Sequence, residues 1–165
     1  MLLYKTPAGF SDLWLRGDGP YLTGLFFEGS RSLSDLDPRE EVRSDFDPTD
    51  TLRWLDLYFR GTPPDFTPAF RIEGLTPFRR EVMELMLKIP YGHTATYGAL
   101  AAQIAAARGV KKISAQAVGG AVGWNPICLI IPCHRVVGAG GALIGYGGGL
   151  HNKTALLQHE SGLLP

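Results

Sequence analysis

Cysteine is nearly absent from this chain. Cys128 and Cys133 are the only two among 165 residues, and a pair so close together cannot supply the disulfide framework of a small secreted domain. No cysteine precedes Cys128 and no histidine precedes His93, so the first half lacks soft metal ligands. The run from Cys128 to Cys133 and His134 does not have zinc-site spacing, and the expectation is a protein with neither metal nor cofactor. Long apolar runs are missing too. No stretch approaches membrane-spanning length, and Met1–Lys5 lacks the apolar core of a signal peptide. These absences point to a reducing, cytoplasmic setting without a membrane partner. Net charge is likewise missing, at zero, which by itself argues against a polyanionic partner.

The distribution of charge argues the other way. Residues 1–75 carry eight Lys/Arg against thirteen Asp/Glu, whereas residues 76–165 carry eight against three. An acidic half joined to a basic half, which also holds all four histidines, fits nucleic-acid binding by the second half; chance segregation of solvated charge is the bland alternative. Hydrophobic content of 45% is enough for a real core.

The first part reads as short strands, Leu2–Tyr4, Leu13–Leu15 and Tyr21–Phe27, separated by Pro/Gly turns. Arg31–Asp50 reads as an acidic loop. Thr51–Phe59 reads as a helix with Asp50 as its N-cap and Gly61 as its stop. The Pro-rich segment Gly61–Pro68 resembles a linker. The reading is therefore α+β: a strand-rich N-terminal domain over 1–70, a small antiparallel sheet with a helix, followed by a mainly helical domain over 71–165.

In that second part Thr76-Pro77 is a helix start, a capping residue followed by proline in the first turn. Phe78, Val82, Leu85 and Ile89 then form one apolar face. A second helix is predicted over about Thr96–Ala107, a turn at Arg108–Lys112, and a third helix capped by Ser114 and running to about Val122. Two helices joined by a Gly-containing turn resemble a helix-turn-helix. A last helix is predicted over Asn152–Glu160. The third helix, Ala115–Val122, carries only small side chains apart from Gln116, with Gly119 and Gly120 adjacent. Each glycine costs a helix about 1 kcal/mol relative to alanine. The cost has two possible reasons: close approach of a nucleic-acid backbone or groove, or tight packing on the core. Such a helix is poorly equipped for major-groove base readout.

The chemistry-bearing feature is Cys133-His134, at the end of the apolar run Ile127–Pro132. A free thiol titrates near pH 8.5, about, and is a nucleophile only as thiolate. An adjacent imidazole supplies a base, directly or through one water. The competing reading is a small buried hydrophobe beside a core histidine. A glycine-rich segment follows, Gly138–Leu150, without the Lys-Ser/Thr of a phosphate cradle. It suits close backbone contact with a flat ligand, with Tyr146 adding a ring and Gly147 open backbone.

These stretches resemble the O6-alkylguanine-DNA alkyltransferases, the methylated-DNA–protein-cysteine methyltransferases. The matching residues are Thr94–Ala101, Ala117–Ala121, Asn125-Pro126, Ile131–Val137, Tyr146–Leu150 and Leu156–Glu160; the first half matches only in size and strand-rich character. The resemblance implies a helix-turn-helix in the minor groove of double-stranded DNA carrying alkylated bases, a flipped base, and one transfer of the alkyl group from O6 of guanine to Cys133, with O4-alkylthymine left open as a second substrate. It implies His134 as the base acting through a water and Glu160 as its support. It gives Tyr97 the 3′ phosphate and the leaving-group proton, and Asn125 the turn before the active-site strand. Val136 and the Cys133 carbonyl would read the guanine edge, with Tyr146 as pocket wall. Arg135 would tie down nearby carbonyls. Ala115, Gln116, Ala117, Gly119 and Gly120 would face the DNA. Tyr97 as core, Asn125 as a plain turn cap and Glu160 as a surface charge remain the alternatives. A monomer is expected, cytoplasmic and nucleoid-associated, or nuclear in a eukaryote.

Two departures stand out. The family's usual arginine in the recognition helix is Gln116 here, which can bond an orphaned cytosine but brings no charge. The turn Ala105–Ile113 is longer than usual and carries Arg108, Lys111 and Lys112, for which phosphate contacts are the expected compensation. Some members bind zinc in the first half, and this chain has no ligands for it. The rival functions are a non-catalytic or impaired lesion-binding protein and an unrelated cysteine hydrolase; the retained Cys133 opposes the first, and the absence of any cysteine-protease context opposes the second.

Overall fold

The computed structural model describes residues 1–30 and 45–162; most of the acidic loop expected over Arg31–Asp50 lies outside them. Three strands form one antiparallel sheet in the order β1 (Leu2–Tyr4), β2 (Leu13–Asp18), β3 (Tyr21–Phe27). Leu13 faces Phe27 and Leu15 faces Leu25 across the ladder. Alternation puts Leu13 and Leu15 on the buried face. The outer edge of β3 is covered: Leu22 bridges Phe70, and Leu25 bridges Ile127. Leu25 N–H donates to Pro126 O at 2.9 Å and Cys128 N–H to Leu25 O at 3.0 Å. The sheet therefore grips the loop that leads to Cys133.

Helix α1 spans Thr49–Phe59, two residues earlier than the sequence suggests. Asp50 lies inside it. The carboxylate at its start is Asp47, whose Oδ1 accepts from Thr49 N at 3.0 Å and Thr49 Oγ1 at 2.6 Å. Thr49 itself supplies a hydroxyl for the carboxylate, which makes Asp47 the better-placed acceptor.

In the second half, α2 (Pro77–Leu87), α3 (Tyr97–Arg108) and α4 (Ala115–Gly123) each begin on a hydroxyl cap. Thr76, Thr96 and Ser114 accept from the N–H groups of Arg79, Ala99 and Ala117 at 3.3, 3.0 and 3.3 Å. Gly109, at φ 65°, closes α3 in the left-handed conformation that favours glycine. The turn after it returns the chain so that α4 packs on both α3 and α2. A two-residue parallel ladder pairs β4 (Ala95–Thr96) with β5 (Val136–Val137). The final helix, α5, spans Leu150–Glu160.

The two halves share one hydrophobic cluster. It runs from Leu13, Leu25 and Phe27 through Trp54 and Tyr58 to Val82, Leu100, Val118, Ile127 and Leu156. No described helix is long and apolar enough to cross a membrane.

Candidate active site

The residues before Cys133 form a looped turn rather than the expected strand. Asn125 ties it: Nδ2 donates to Ile127 O at 3.2 Å and Ile131 O at 2.8 Å, while Oδ1 accepts from Ile127 N at 3.0 Å. Within the loop Leu129 is buried at φ 67°, a conformation that costs a non-glycine residue about 1 kcal/mol or more. It persists because both flanks are fixed. Cys133, His134 and Arg135 then make one 3₁₀ turn, all three buried, before β5 begins.

Cys133 is 6% exposed and opens onto a cavity of about 1200 Å³. One wall is α4, through Ala115, Gln116, Gly119 and Gly120; the other is the glycine-rich segment, through Gly145, Tyr146 and Gly147. Tyr97, Asn125 and Cys128 also line the cavity, as does Phe27 of β3. Ala117 is exposed on α4 but outside the cavity lining. The glycines of α4 are not forced by packing. A Cβ on Gly119 would sit 3.8 Å from the Tyr97 ring, an ordinary contact, and one on Gly120 would meet nothing within 4 Å. Gly148 differs: a Cβ there would come within 2.7 Å of Phe27 and 2.8 Å of Tyr146.

Behind the thiol lies a buried charge network. His134 Nε2 is 2.6 Å from Glu160 Oε1. Arg135 Nε donates to Glu160 Oε2 at 2.9 Å, Nη2 to Oε1 at 3.0 Å, and Nη1 to Ile89 O at 2.7 Å. Gly92 N–H donates to Oε2 at 3.1 Å. Tyr58 Oη, from α1, donates to Oε1 at 2.7 Å. Burial pushes the Glu160 carboxyl up, but the hydrogen bonds from His134 and Arg135 and the Arg135 charge outweigh it and hold it well below the usual carboxylate range. Burial pulls His134 down; the Glu160 contact opposes that without cancelling it, and the charges of Arg135 and Lys153 add to the fall. An ionised Glu160 calls for Nε2–H on a neutral ring, which leaves the lone pair at Nδ1. His134 Nδ1 is buried and has no hydrogen-bond partner among the described residues.

The thiol itself is pushed up by burial, countered by the Asn125 and Tyr146 side chains and by the Lys153 charge. Lys153 is fully buried, with Nζ donating to Val136 O at 2.7 Å and to Ile144 O and Gly145 O at 3.4 and 3.3 Å. It thereby clamps the glycine-rich segment to β5. Burial pushes Lys153 down, against the attraction of Cys133. Tyr97 starts α3, half-buried, and donates to Ile144 O at 3.3 Å; it lines the cavity and also packs against the core. Val136 is fully buried, its carbonyl on Lys153.

Most of the residues expected to act together do meet here: Cys133, His134, Glu160, Asn125, Tyr97, Tyr146, Gly147 and α4. Arg135 ties down one carbonyl, as expected, but its other bonds go to Glu160. The basic turn stands apart from the cavity lining. Arg108 is engaged by Glu81 (Nη2–Oε1 2.8 Å, Nε–Oε2 3.0 Å) and lies over the Phe78 ring, so Lys111 and Lys112 are the exposed cations of the turn that keep their heads in solvent. Sequence reasoning missed Lys153 and Tyr58. Lys153, Leu156 and Glu160 share one helix face by their spacing of three and four, so a lysine on a buried face was a usable signal. Tyr58 lies 102 residues from Glu160, and no local pattern joins them.

The family profile described as "6-O-methylguanine DNA methyltransferase, DNA binding domain" matches residues 77–162. A Mycobacterium tuberculosis protein named methylated-DNA–protein-cysteine methyltransferase is 39% identical over 171 residues, covering 100% of this chain and 96% of that one. The solved structure of Mycobacterium tuberculosis OGT in complex with DNA superimposes with a TM-score of 0.81 at 37% identity, over 99% of this chain and 93% of that one. The O6-methylguanine-DNA methyltransferase of the archaeon Pyrococcus kodakaraensis gives 0.66 at 28% identity, over 96% and 97%. With a matched profile over half its length and a relative alike from end to end, this chain belongs to the 6-O-methylguanine DNA methyltransferase family.

Proposed function

We propose that this protein repairs DNA by moving the alkyl group from O6 of an alkylated guanine onto its own Cys133, once per molecule. The observation that carries the reading is a thiol at a cavity wall followed in the chain by a buried imidazole whose Nδ1 has no hydrogen-bond partner among the described residues. Family membership supplies the substrate class.

The duplex lies along α4, whose small side chains and exposed Gly120 let a backbone approach closely. The alkylated base leaves the stack, because O6 is out of reach inside it, and enters between α4 and the glycine-rich segment. Gln116, exposed at the cavity rim, takes the place of the extruded nucleotide and bonds the orphaned cytosine. Cys133 gives its proton to His134 Nδ1 through a water, and Glu160 stabilises the imidazolium that forms. The thiolate attacks the alkyl carbon; the carbon–oxygen bond breaks, its electron pair goes to O6, and the Tyr97 hydroxyl protonates the leaving guanine. The product is a thioether, which has no easy hydrolysis, so the protein is consumed. Every group in this sequence comes from one chain, and a monomer suffices. The repair takes place where the DNA is, in the cytoplasm at the nucleoid.

Intact-mass analysis after mixing with an O6-methylguanine duplex tests this. The expected result is a gain of one methyl for one hydrogen, mapped to Cys133 and absent in Cys133→Ala. An unchanged mass, or a methyl elsewhere, sinks the reading. An O4-methylthymine duplex in the same assay sets the range of bases repaired.

A further inference from the structure

Among the described residues, Tyr58 is the part of the charge network that comes from the acidic half of the chain. Its side chain is fully buried. The ring is stacked on Trp54 (5.3 Å between centroids, 9° between planes) and held edge-on by Phe59 at 5.3 Å and Tyr91 at 5.8 Å. So constrained, the hydroxyl reaches Glu160 Oε1 at 2.7 Å, the same oxygen that His134 Nε2 approaches at 2.6 Å. The two donors are 3.5 Å apart. Arg135 Nη2 donates to the same oxygen at 3.0 Å; donors that share one carboxylate oxygen divide its charge, and a hydrogen bond to an ionised acceptor is a strong one.

We propose that Tyr58 is a positioning residue for the Cys133–His134 pair, drawing charge from Glu160 Oε1 so that Glu160 does not hold a proton permanently on His134. The inference rests on His134 being the base for Cys133. Without the hydroxyl, Oε1 is left to His134 and to Arg135 Nη2, and the imidazolium is favoured. The carboxylate does not swing away, because Arg135 and Gly92 N–H still fix it through Oε2. Among the described residues, the charged or titratable groups facing the pair are then Cys133 and Arg135 of the 3₁₀ turn, Lys153 and His159 of α5, Tyr91 after α2, and Tyr146 of the glycine-rich segment. Removing the Tyr58 oxygen leaves all of them in place. The effect is directional: His134 gains proton affinity and is a free base only at higher pH.

Tyr58→Phe tests this in the full-length chain, since it keeps the ring contacts. The readout is the pH profile of iodoacetamide alkylation at Cys133, followed by peptide mapping without DNA, beside wild type and His134→Ala. The acid limb of Tyr58→Phe is expected about one pH unit above that of wild type, with unchanged affinity for an unmodified duplex. A superimposable profile, or a limb moved to lower pH, overturns the role of Tyr58. The His134→Ala profile separates the failures: if it matches wild type, the base assignment falls and Tyr58 falls with it. If it differs while Tyr58→Phe does not, Tyr58 alone is refuted. As a second measurement, Tyr58→Phe added to Glu160→Gln is expected to give no further shift, because the charge it divides is gone; a further shift of the same size counts against the proposal.

Discussion

Glu160 illustrates how much one carboxylate can organise. It takes hydrogen bonds from Tyr58, Gly92, His134 and Arg135, with its side chain 1% exposed. Removing one partner of a buried pair strands the other, at a cost of about 3–5 kcal/mol. Glu160→Gln is therefore expected to lower the melting temperature and to slow alkyl transfer by about a hundredfold or more, read by calorimetry and single-turnover kinetics. The pH dependence of stability follows from the same atoms. An ordinary histidine titrates at 6.5 and an ordinary glutamate at 4.5, and the fold holds both groups lower. The unfolded chain thus binds more protons in acid, so stability falls as pH falls. The loss begins below 6.5 with His134 and steepens below 4.5 with Glu160. Urea midpoints measured down the acid range should show both stages in wild type, and Glu160→Gln should lose the second.

At this scale the sequence was unevenly legible. Cys133-His134 could be read because the two groups are adjacent, and Glu160 because the final helix ends on it. Arg135 could be only half read: the dipeptide shows a cation beside the site, but which partner it meets depends on where α5 comes to rest. Tyr58 could not be read at all, since its pairing exists only after the halves have packed.

Among the elements, α4 is the one whose composition most needs an outside explanation. Core packing was one candidate reason for its glycines, and the open space at Gly120 removes that reason for this residue. Gly120→Ala is expected to stabilise the fold by about 1 kcal/mol while weakening affinity for duplex DNA several-fold. Chemical denaturation and fluorescence anisotropy check the two arms, and a stabilised variant with undiminished affinity would return α4 to a merely structural role. The caps of α2, α3 and α4 were readable because a hydroxyl one residue before a helix has a single local job. The start of α1 was misplaced by two residues, since Asp47 and Asp50 offer similar capping chemistry and only the path of the chain chooses between them.

For the whole molecule, charge segregation was the legible feature, and the structure refines which cations are available. Glu81 occupies Arg108, and Lys111 and Lys112 are the other exposed cations of the turn, which we propose as its phosphate contacts. Each phosphate contact contributes about −0.9 to the slope of log affinity against log salt. The double variant Lys111→Ala/Lys112→Ala is expected to flatten that slope by about 2, measured by anisotropy titrations over a series of salt concentrations. An unchanged slope would show that the turn does not touch the duplex. The division at residue 70 follows the chain's composition, while the hydrophobic cluster and the Glu160 network both straddle it.

The covered margin of β3 has a consequence for anyone who would separate the halves. Leu25 spends its amide and its carbonyl on Pro126 and Cys128, groups that belong to the far side of the molecule. Strip them away and the N-terminal fragment presents a bare ladder of donors and acceptors, a template for another copy of itself. The same contacts that present the sulfur to its cavity also occupy the β3 edge at Leu25.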